Sequence, residues 1–321
     1  MMYYICSECR KTYEVRGAPY CCRCGGLFNL GREEFTFTCQ DLLPQQRGLF
    51  RYIKALPFSA DATCWQEITM GEGLTPLIPL SGNQANVLLK VDYMMPTLSF
   101  KDRGAVVLIA KAMEMGIKKV IQDSSGNAGT SIAAYASRAG IACDIYLPQG
   151  TSPKKIQQIT THGATVIVVK SSREDTAAAA LQAVKRNEGF YASHVYNPFF
   201  YEGTKTIAYE VFEQLQGNVP DVVVTPVGNG SLLLGIYYGF KELYEQKLIA
   251  KIPQILAIQA KGCAPLAQAF TRDSDTVIAV PNSGTMAEGI AIANPLRGRQ
   301  LLQAIRASGG KIMTAPEDKI I

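Results

Sequence analysis

Short apolar runs alternate with longer helical stretches over the last two-thirds of this 321-residue chain. Turn residues bound the runs, which cover 119–122, 143–147, 165–169, 222–225 and 255–258. Stretches with amphipathic helical spacing lie near 100–115, 128–139, 153–162, 174–188, 203–216 and 231–247. Strands that alternate with helices pair in parallel through crossover connections. The pattern therefore predicts an α/β fold with open, mainly parallel sheets and flanking helices.

The length and composition favour two lobes over a single small module. Hydrophobic residues make up 47% of the chain and charged residues 18%, which is typical of a globular protein. A single hydrophobic core stops growing near about 250–300 residues, and this chain is longer. We therefore expect each lobe to carry its own sheet.

Charge and targeting signals argue against two classes of partner. The formal net charge is +5, and no run of five like charges occurs, so a nucleic-acid partner is not expected. No apolar stretch reaches the length of about 18 residues that a membrane span needs, and residues 1–6 lack the features of a signal peptide. We expect a cytoplasmic protein that acts on a small molecule.

Five of the nine cysteines fall between Cys6 and Cys24. Two Cys-x2-Cys pairs, Cys6 with Cys9 and Cys21 with Cys24, have the spacing of a four-thiolate zinc site. Cys22 is a further candidate ligand, and a set of reduced thiols or a redox pair is the alternative. The favoured prediction is a small structural zinc ribbon over residues 1–35.

The helix near 100–115 begins with a lysine. Ser99 and Asp102 have the spacing of a capping box, so the simplest interpretation is a capped helix with solvated charges. However, the positive end of a helix disfavours a cation, and burial of Lys101 would push it toward its neutral, nucleophilic form. With only His162 and His194 in the chain, lysine becomes a candidate for the chemistry.

Two small-residue turns, 123–129 and 226–232, each follow an apolar run and open a helix. Backbone N–H groups at such a junction can bind an anion, although either turn could also be purely structural. Open parallel sheets bind ligands at the carboxyl ends of their strands, where both turns lie. One lysine and two anion sites together suit a phosphorylated aldehyde cofactor and an amino-acid carboxylate.

These motifs resemble those of a known family. The segment 99–104, Ser-Phe-Lys-Asp-Arg-Gly, resembles the lysine motif of fold-type II pyridoxal-phosphate enzymes. The segment 71–77, Gly-Glu-Gly-Leu-Thr-Pro-Leu, resembles the N-terminal motif of threonine synthases. The N-terminal cysteine ribbon and three further segments are similar to the same enzymes, namely 197–198, 202–206 and 226–230.

The resemblance implies a role for each motif. Lys101 would bind pyridoxal 5'-phosphate covalently and move protons, and Asn127 would contact the ring hydroxyl of the cofactor. The residues that would hold the cofactor phosphate are Gly228, Asn229, Gly230, Ser231 and Leu232. Those that would hold the substrate carboxylate are Ser124, Ser125, Gly126, Asn127, Ala128 and Gly129. The implied reaction eliminates phosphate from O-phosphohomoserine and adds water to give threonine, in a homodimer.

The resemblance also implies lobe boundaries and leaves alternatives open. A large cofactor lobe would comprise 36–90 and 196–321, and a smaller substrate-gating lobe 91–195. Met95 and Leu98 stand where threonine synthases have Asn and Gly, and 287–291 resembles the dehydratase branch. A cysteate synthase-like or threonine dehydratase-like lyase, or a non-catalytic protein with the ribbon as its interaction surface, is therefore also considered.

The Ser or Thr that faces the pyridine nitrogen in the family follows a segment like 309–313, and we do not find it before Ile321. We expect either a continuation of the chain, another residue in that role, or impaired catalysis.

Overall fold

The computed structural model of the chain describes residues 2–17, 19–33, 36–80, 86–170 and 173–320. These residues form two compact units, Met1–Thr204 and Lys205–Ile321. Each unit contains a parallel sheet with helices, and the first also contains an antiparallel ribbon.

The ribbon opens the first unit. It is a three-stranded antiparallel sheet of order β2-β1-β3, with β1 at Met2–Cys6, β2 at Thr12–Glu14 and β3 at Phe28–Arg32. Tyr4 stacks on Phe28 with ring centroids 5.2 Å apart, and Phe199 approaches Tyr4 to 5.7 Å. Aromatic packing thus holds the ribbon on the rest of its unit.

A connecting region follows the ribbon. It contains 3-10 turns at Cys39–Asp41 and Leu49–Ala55 and a short helix α1 at Cys64–Ile68. Strands β4 at Leu77–Pro79 and β5 at Leu88–Lys90 then pair antiparallel.

The main sheet of the first unit has four parallel strands in the order β8-β7-β6-β9. They are β6 at Lys119–Gln122, β7 at Ala142–Pro148, β8 at Thr165–Val169 and β9 at Phe190–Tyr191. The helices are α2 at Lys101–Glu114, α3 at Asn127–Arg138, α4 at Pro153–Thr161, α5 at Arg173–Lys185 and α6 at Pro198–Thr204. The apolar face of α2 is fully buried, which fixes the helix that begins at Lys101.

The second unit has a three-stranded parallel sheet of order β10-β11-β12. Its strands are β10 at Val222–Pro226, β11 at Gln254–Ala260 and β12 at Lys311–Ala315. Its helices are α7 at Thr206–Gln214, α8 at Ser231–Glu245, α9 at Pro265–Thr271 and α10 at Gly298–Ala307, with 3-10 turns at Glu288–Ile290 and Glu317–Lys319. Buried Leu233, Phe240 and Leu301 form part of its core.

The structure confirms the α/β class with parallel sheets, and all five predicted strands form. The helical stretch predicted near 203–216 forms, but it is divided between the end of α6 at Thr204 and a separate α7 from Thr206 to Gln214. Within the described ranges, no helix combines the length and apolar character needed to cross a bilayer. The division into a large and a small lobe stays a prediction.

Candidate active site

Lys101 is the first residue of α2, but the expected capping box is wrong. The N-cap is Phe100, and Ser99 Oγ accepts a bond from the Lys101 amide at 3.3 Å. Asp102 turns into the core, where its carboxylate accepts bonds from Thr97 N at 2.7 Å and Thr97 Oγ1 at 2.5 Å. Because these donors satisfy the buried carboxylate, Asp102 anchors the turn before the helix instead of capping it.

The amine of Lys101 lies among aromatic rings. Its Nζ is 4.6 Å from the ring centroid of Phe100 and 5.7 Å from that of Phe200. Burial lowers the pKa of Lys101 to about 7 because the charged form is poorly solvated there. A large fraction of the amine is therefore neutral near pH 7, as a nucleophile or proton acceptor requires.

A buried ion pair next to Lys101 connects α2 to the 71–77 motif. Arg103 Nε donates to Asp92 Oδ2 at 2.9 Å and its Nη2 to Asp92 Oδ1 at 2.6 Å. Thr75 Oγ1 donates to the same carboxylate at 2.8 Å and accepts from Arg103 at 3.2 Å. This bidentate pairing fixes the guanidinium geometrically as well as electrostatically.

Two glycines let α2 and α6 touch. A Cβ on Gly104 would overlap the ring of Phe200, and a Cβ on Gly203 would overlap the carbonyl of Arg103. The backbones are therefore in direct contact just after Lys101, and any larger residue would separate them. Helix α6 thus helps to set the position of the lysine.

Glu72 joins the 71–77 motif to α3. Its carboxylate accepts bonds from Thr69 Oγ1 at 2.8 Å, Met70 N at 2.8 Å and the Tyr135 hydroxyl at 2.9 Å. Burial raises the pKa of Glu72 above its usual range. The sequence indicated the 71–77 motif but not the bond from Tyr135, because Tyr135 is more than 60 residues away along the chain.

The turn after β6 leads into α3, whose N-cap is Gly126. Ser124 is buried and its Oγ accepts from Gly126 N at 3.4 Å, whereas Asn127 is exposed. A Cβ on Gly126 would meet no atom within 4 Å, while one on Gly129 would overlap the carbonyl of Ser124. The structure thus brings 124–129 together at a helix N-terminus, where the dipole and N–H groups favour an anion.

The turn after β10 leads into α8 in the second unit. Gly230 is the N-cap with φ of 82°, a conformation that favours glycine. A Cβ on Gly228 would lie 2.9 Å from Cα of Ile290, and one on Gly230 would overlap Leu301. Ser231 is buried as the first residue of the helix. Residues 228–232 therefore form a tightly packed helix N-terminus, also suited to an anion.

Four cysteines of the ribbon cluster, and they include Cys22 in place of the expected Cys21. The sulfur atoms of Cys6, Cys9, Cys22 and Cys24 all lie within 4.8 Å of one another. Cys6 and Cys24 are 3.5 Å apart at sulfur, and Cys9 and Cys22 are 3.6 Å apart. Amides of Glu8 and Cys9 donate to the Cys6 sulfur at 3.4 and 3.5 Å. Four convergent sulfurs of this kind could hold a metal ion.

Cys22 takes the place that the paired spacing assigned to Cys21. The Cys22 amide donates to Gly26 O at 2.9 Å, and Gly25 N donates to Cys22 O at 2.8 Å, which closes a turn with the Cys22 side chain inside. Neighbouring side chains in such a segment point to different sides, and Cys21 is half-exposed outside the cluster. The spacing of the cysteines along the chain does not indicate which way each side chain points, so it could not distinguish Cys22 from Cys21.

A family model of pyridoxal-phosphate dependent enzymes matches residues 68–321. The chain belongs to this family. The match includes Lys101 and both glycine-containing turns, and it supports pyridoxal phosphate as the cofactor of the chain. The family predicted from the lysine motif is thus confirmed.

Curated relatives of this pyridoxal-phosphate enzyme include several threonine synthases. That of Methanocaldococcus jannaschii is 35% identical over 326 residues, covering 98% of this chain and 80% of the relative. That of Methanosarcina acetivorans is 32% identical over 330 residues, covering 100% of this chain and 80% of the relative. The chain is thus a threonine synthase-like pyridoxal-phosphate lyase, as its motifs predicted.

Solved structures confirm the fold of this family. The processed form of threonine deaminase isoform 2 from Solanum lycopersicum aligns with a TM-score of 0.65 at 20% identity, covering 88% of this chain and 79% of that one. Diaminopropionate ammonia lyase from Escherichia coli aligns with a TM-score of 0.66 at 18% identity, covering 86% of this chain and 75% of that one. The predicted fold-type II architecture is therefore confirmed.

Proposed function

We propose that the chain is a threonine synthase, which converts O-phosphohomoserine and water into threonine and phosphate. The observation that carries the proposal is the similarity to threonine synthases over 98% of the chain. The arrangement around Lys101 supports it, because a neutral amine held by α2 suits proton transfer at a substrate carbon.

The residues of the chain fit pyridoxal phosphate. A lysine with a pKa of about 7 can react with an aldehyde near neutral pH. The first N–H groups of α8 lack partners within the helix and suit a phosphate dianion. In our proposal Lys101 binds the aldehyde, and the phosphate is held by Gly228, Asn229, Gly230, Ser231 and Leu232. When bound, the cofactor supplies an electron sink for the substrate α-carbon.

The turn 124–129 is the proposed site for the substrate carboxylate. Its helix N-terminus offers N–H donors beside the open face of Gly126. The exposed Asn127 amide would contact the ring hydroxyl of the cofactor. Lys101 would then remove and return protons at the substrate carbons, because its amine accepts a proton readily near pH 7.

A second candidate is a lyase for another small amino acid, of the threonine dehydratase-like or cysteate synthase-like type. Met95 and Leu98 favour it, since they replace the Asn and Gly that threonine synthases have there. Met95 is buried and its sulfur accepts from Gly73 N at 3.4 Å, so it fills space beside the 71–77 motif. A bulky apolar group at that position can change which substrate is accepted.

We further propose a structural zinc site made by Cys6, Cys9, Cys22 and Cys24, supported by their convergent sulfur atoms. Cys22→Ser should lower bound zinc from one equivalent to well below half, as measured by elemental mass spectrometry. Cys21→Ser and Cys39→Ser serve as controls and should retain the metal. Full zinc content in Cys22→Ser, together with loss of zinc in Cys21→Ser, would instead support Cys21 as the fourth ligand.

Assembly and location remain proposals. We propose a cytoplasmic homodimer with a small amino-acid substrate and without nucleic-acid or membrane partners, on the strength of the resemblance and the composition. We also propose a large cofactor lobe that comprises residues 36–90 and 196–321. The small substrate-gating lobe would comprise residues 91–195. A protein without catalysis, in which the ribbon of residues 1–35 binds a partner, is the alternative from another class.

The deciding experiment combines cofactor mapping with turnover. After borohydride reduction, mass spectrometry should place the pyridoxyl group on Lys101 in the wild type and in the Lys154→Ala control, and remove it in Lys101→Ala. Phosphate release from O-phosphohomoserine should follow the same pattern. An adduct on Lys101 without phosphate release, but with 2-oxobutanoate formed from threonine, would replace the synthase by the dehydratase-like activity.

A further inference from the structure

A cavity of about 630 Å³ lies within the first unit, between the ribbon and the parallel sheet. Lys118 and Lys119 on its wall precede or begin β6, and Gly189 and Phe190 stand at the start of β9. The cavity therefore reaches the amino ends of these strands, whereas the turn 124–129 follows the carboxyl end of β6. It includes none of the residues assigned to the cofactor or substrate.

One wall of the cavity is aromatic. Tyr20, Tyr191 and Tyr196 contact each other, with ring centroids 5.3 to 6.0 Å apart. Tyr4 and Phe28 from the ribbon line the same space. The three tyrosine rings are tilted against each other by 51 to 89°, so each offers a separate ring face or edge to a planar molecule.

The charged side chains at the cavity carry a positive excess. Lys119 pairs with Asp144 at 2.6 Å, and Glu188 pairs with Arg186 at 2.5 Å, so both are neutralised locally. Across the described stretches of the chain, neither Lys118 nor Lys185 forms a salt bridge with a carboxylate, and Lys185 interacts electrostatically with the Cys21 thiol. Two ammonium groups are thus available to an anion at a cavity with an aromatic wall.

We propose that this cavity binds a planar aromatic carboxylate of one or two rings. The rings would lie against the tyrosine wall, and the carboxylate would pair with Lys118 and Lys185. The volume falls in the range of about 300–1,000 Å³ that is usual for small-molecule sites. The inference goes beyond the proposed reaction and does not depend on it.

Isothermal calorimetry on the cofactor-loaded protein tests the proposal with indole-3-acetate as the probe. Indole-3-acetamide has the same rings without the charge, and acetate has the charge without rings. We expect saturable binding of indole-3-acetate and at least tenfold weaker binding of both controls. Because the cavity lies apart from Lys101, Lys101→Ala should bind the probe with an unchanged Kd.

Variants locate the binding. The double variant that combines Lys118→Met and Lys185→Met should raise the Kd of indole-3-acetate about tenfold. Tyr196→Leu should raise this Kd several-fold. Lys154→Met with Lys311→Met removes two exposed lysines elsewhere and should leave the Kd unchanged. Absence of saturable binding, or equal Kd values in the two double variants, would overturn the proposal.

Discussion

The two strand-to-helix turns have similar sequences but differ in what surrounds their glycines. The turn after β10 is packed: Gly228 lies against Ile290 and Gly230 against Leu301, with a left-handed φ at Gly230. The turn after β6 has one packed glycine, Gly129, but Gly126 meets no atom at its Cβ position. A packed turn suits a group that stays bound through many cycles, whereas an open one suits a substrate that must enter and leave.

The largest effect should come from Gly230→Ala in the packed turn. We expect a loss of about 3 kcal/mol of unfolding free energy, from roughly 1–2 kcal/mol for the left-handed φ and the rest for overpacking against Leu301. Urea denaturation measures it. A loss under about 0.5 kcal/mol would show that the packed turn can relax and would weaken the contrast between the turns.

The lysine at the start of α2 provides a test by pH. With a pKa of about 7, Lys101 becomes neutral as the pH rises through 7. The rate at which pyridoxal phosphate attaches to the apo-protein should rise about tenfold per pH unit below 7 and then level off. Stopped-flow absorbance measures the rate. A rate that still climbs at pH 9 would indicate a lysine with its ordinary, solvated pKa.

Gly126→Ala tests the open turn. Its φ of −102° suits alanine and its Cβ would meet no atom, so the unfolding free energy should change by less than about 0.5 kcal/mol. The methyl group would nevertheless face the proposed carboxylate site and should raise KM about tenfold, with kcat changed far less. Gly129→Ala is the contrasting variant and should destabilise the fold. An unchanged KM would show that this turn does not bind the substrate carboxylate.

The smallest effect concerns the strained residue before Lys101. Leu98 has a φ of 60° and is 74% exposed, so it loses little packing on replacement. Leu98→Gly should raise the free energy of unfolding by about 0.5–1 kcal/mol, because relief of the left-handed strain exceeds the entropy cost of glycine. Met94→Gly, at an exposed site outside the positive-φ set, should instead lose stability. Thermal unfolding distinguishes the two.

Local patterns in the sequence were sufficient for some of the site. The apolar runs predicted the parallel strands, and the small residues after them predicted both turns. The start of the helix at Lys101 also followed from local spacing. These features depend on residues that are close together along the chain, where periodicity and turn chemistry are informative.

Contacts between distant residues account for what sequence reasoning missed. Asp102 and Ser99 have capping spacing, but Asp102 binds Thr97 and the Ser131 hydroxyl on α3 instead. The Glu72 bond to Tyr135 has the same long-range character. The choice of Cys22 over Cys21 depends on the direction of a side chain in a turn. Tertiary packing decides the Asp102 and Glu72 cases and local turn geometry decides the cysteine case, and residue spacing alone predicts neither.

The contact of α2 with α6 has a consequence for the timing of folding during synthesis. More than 80 residues separate the end of α2 from Pro198, where α6 begins. At about 5–20 residues per second, the ribosome needs roughly 4 to 17 seconds to make that stretch. Until Gly203 emerges and seats against Arg103, the region around Lys101 has its bonds to earlier residues but lacks the backbone contact with α6. The lysine is therefore made early in translation, but its packing is completed only after nearly two-thirds of the chain has been synthesised.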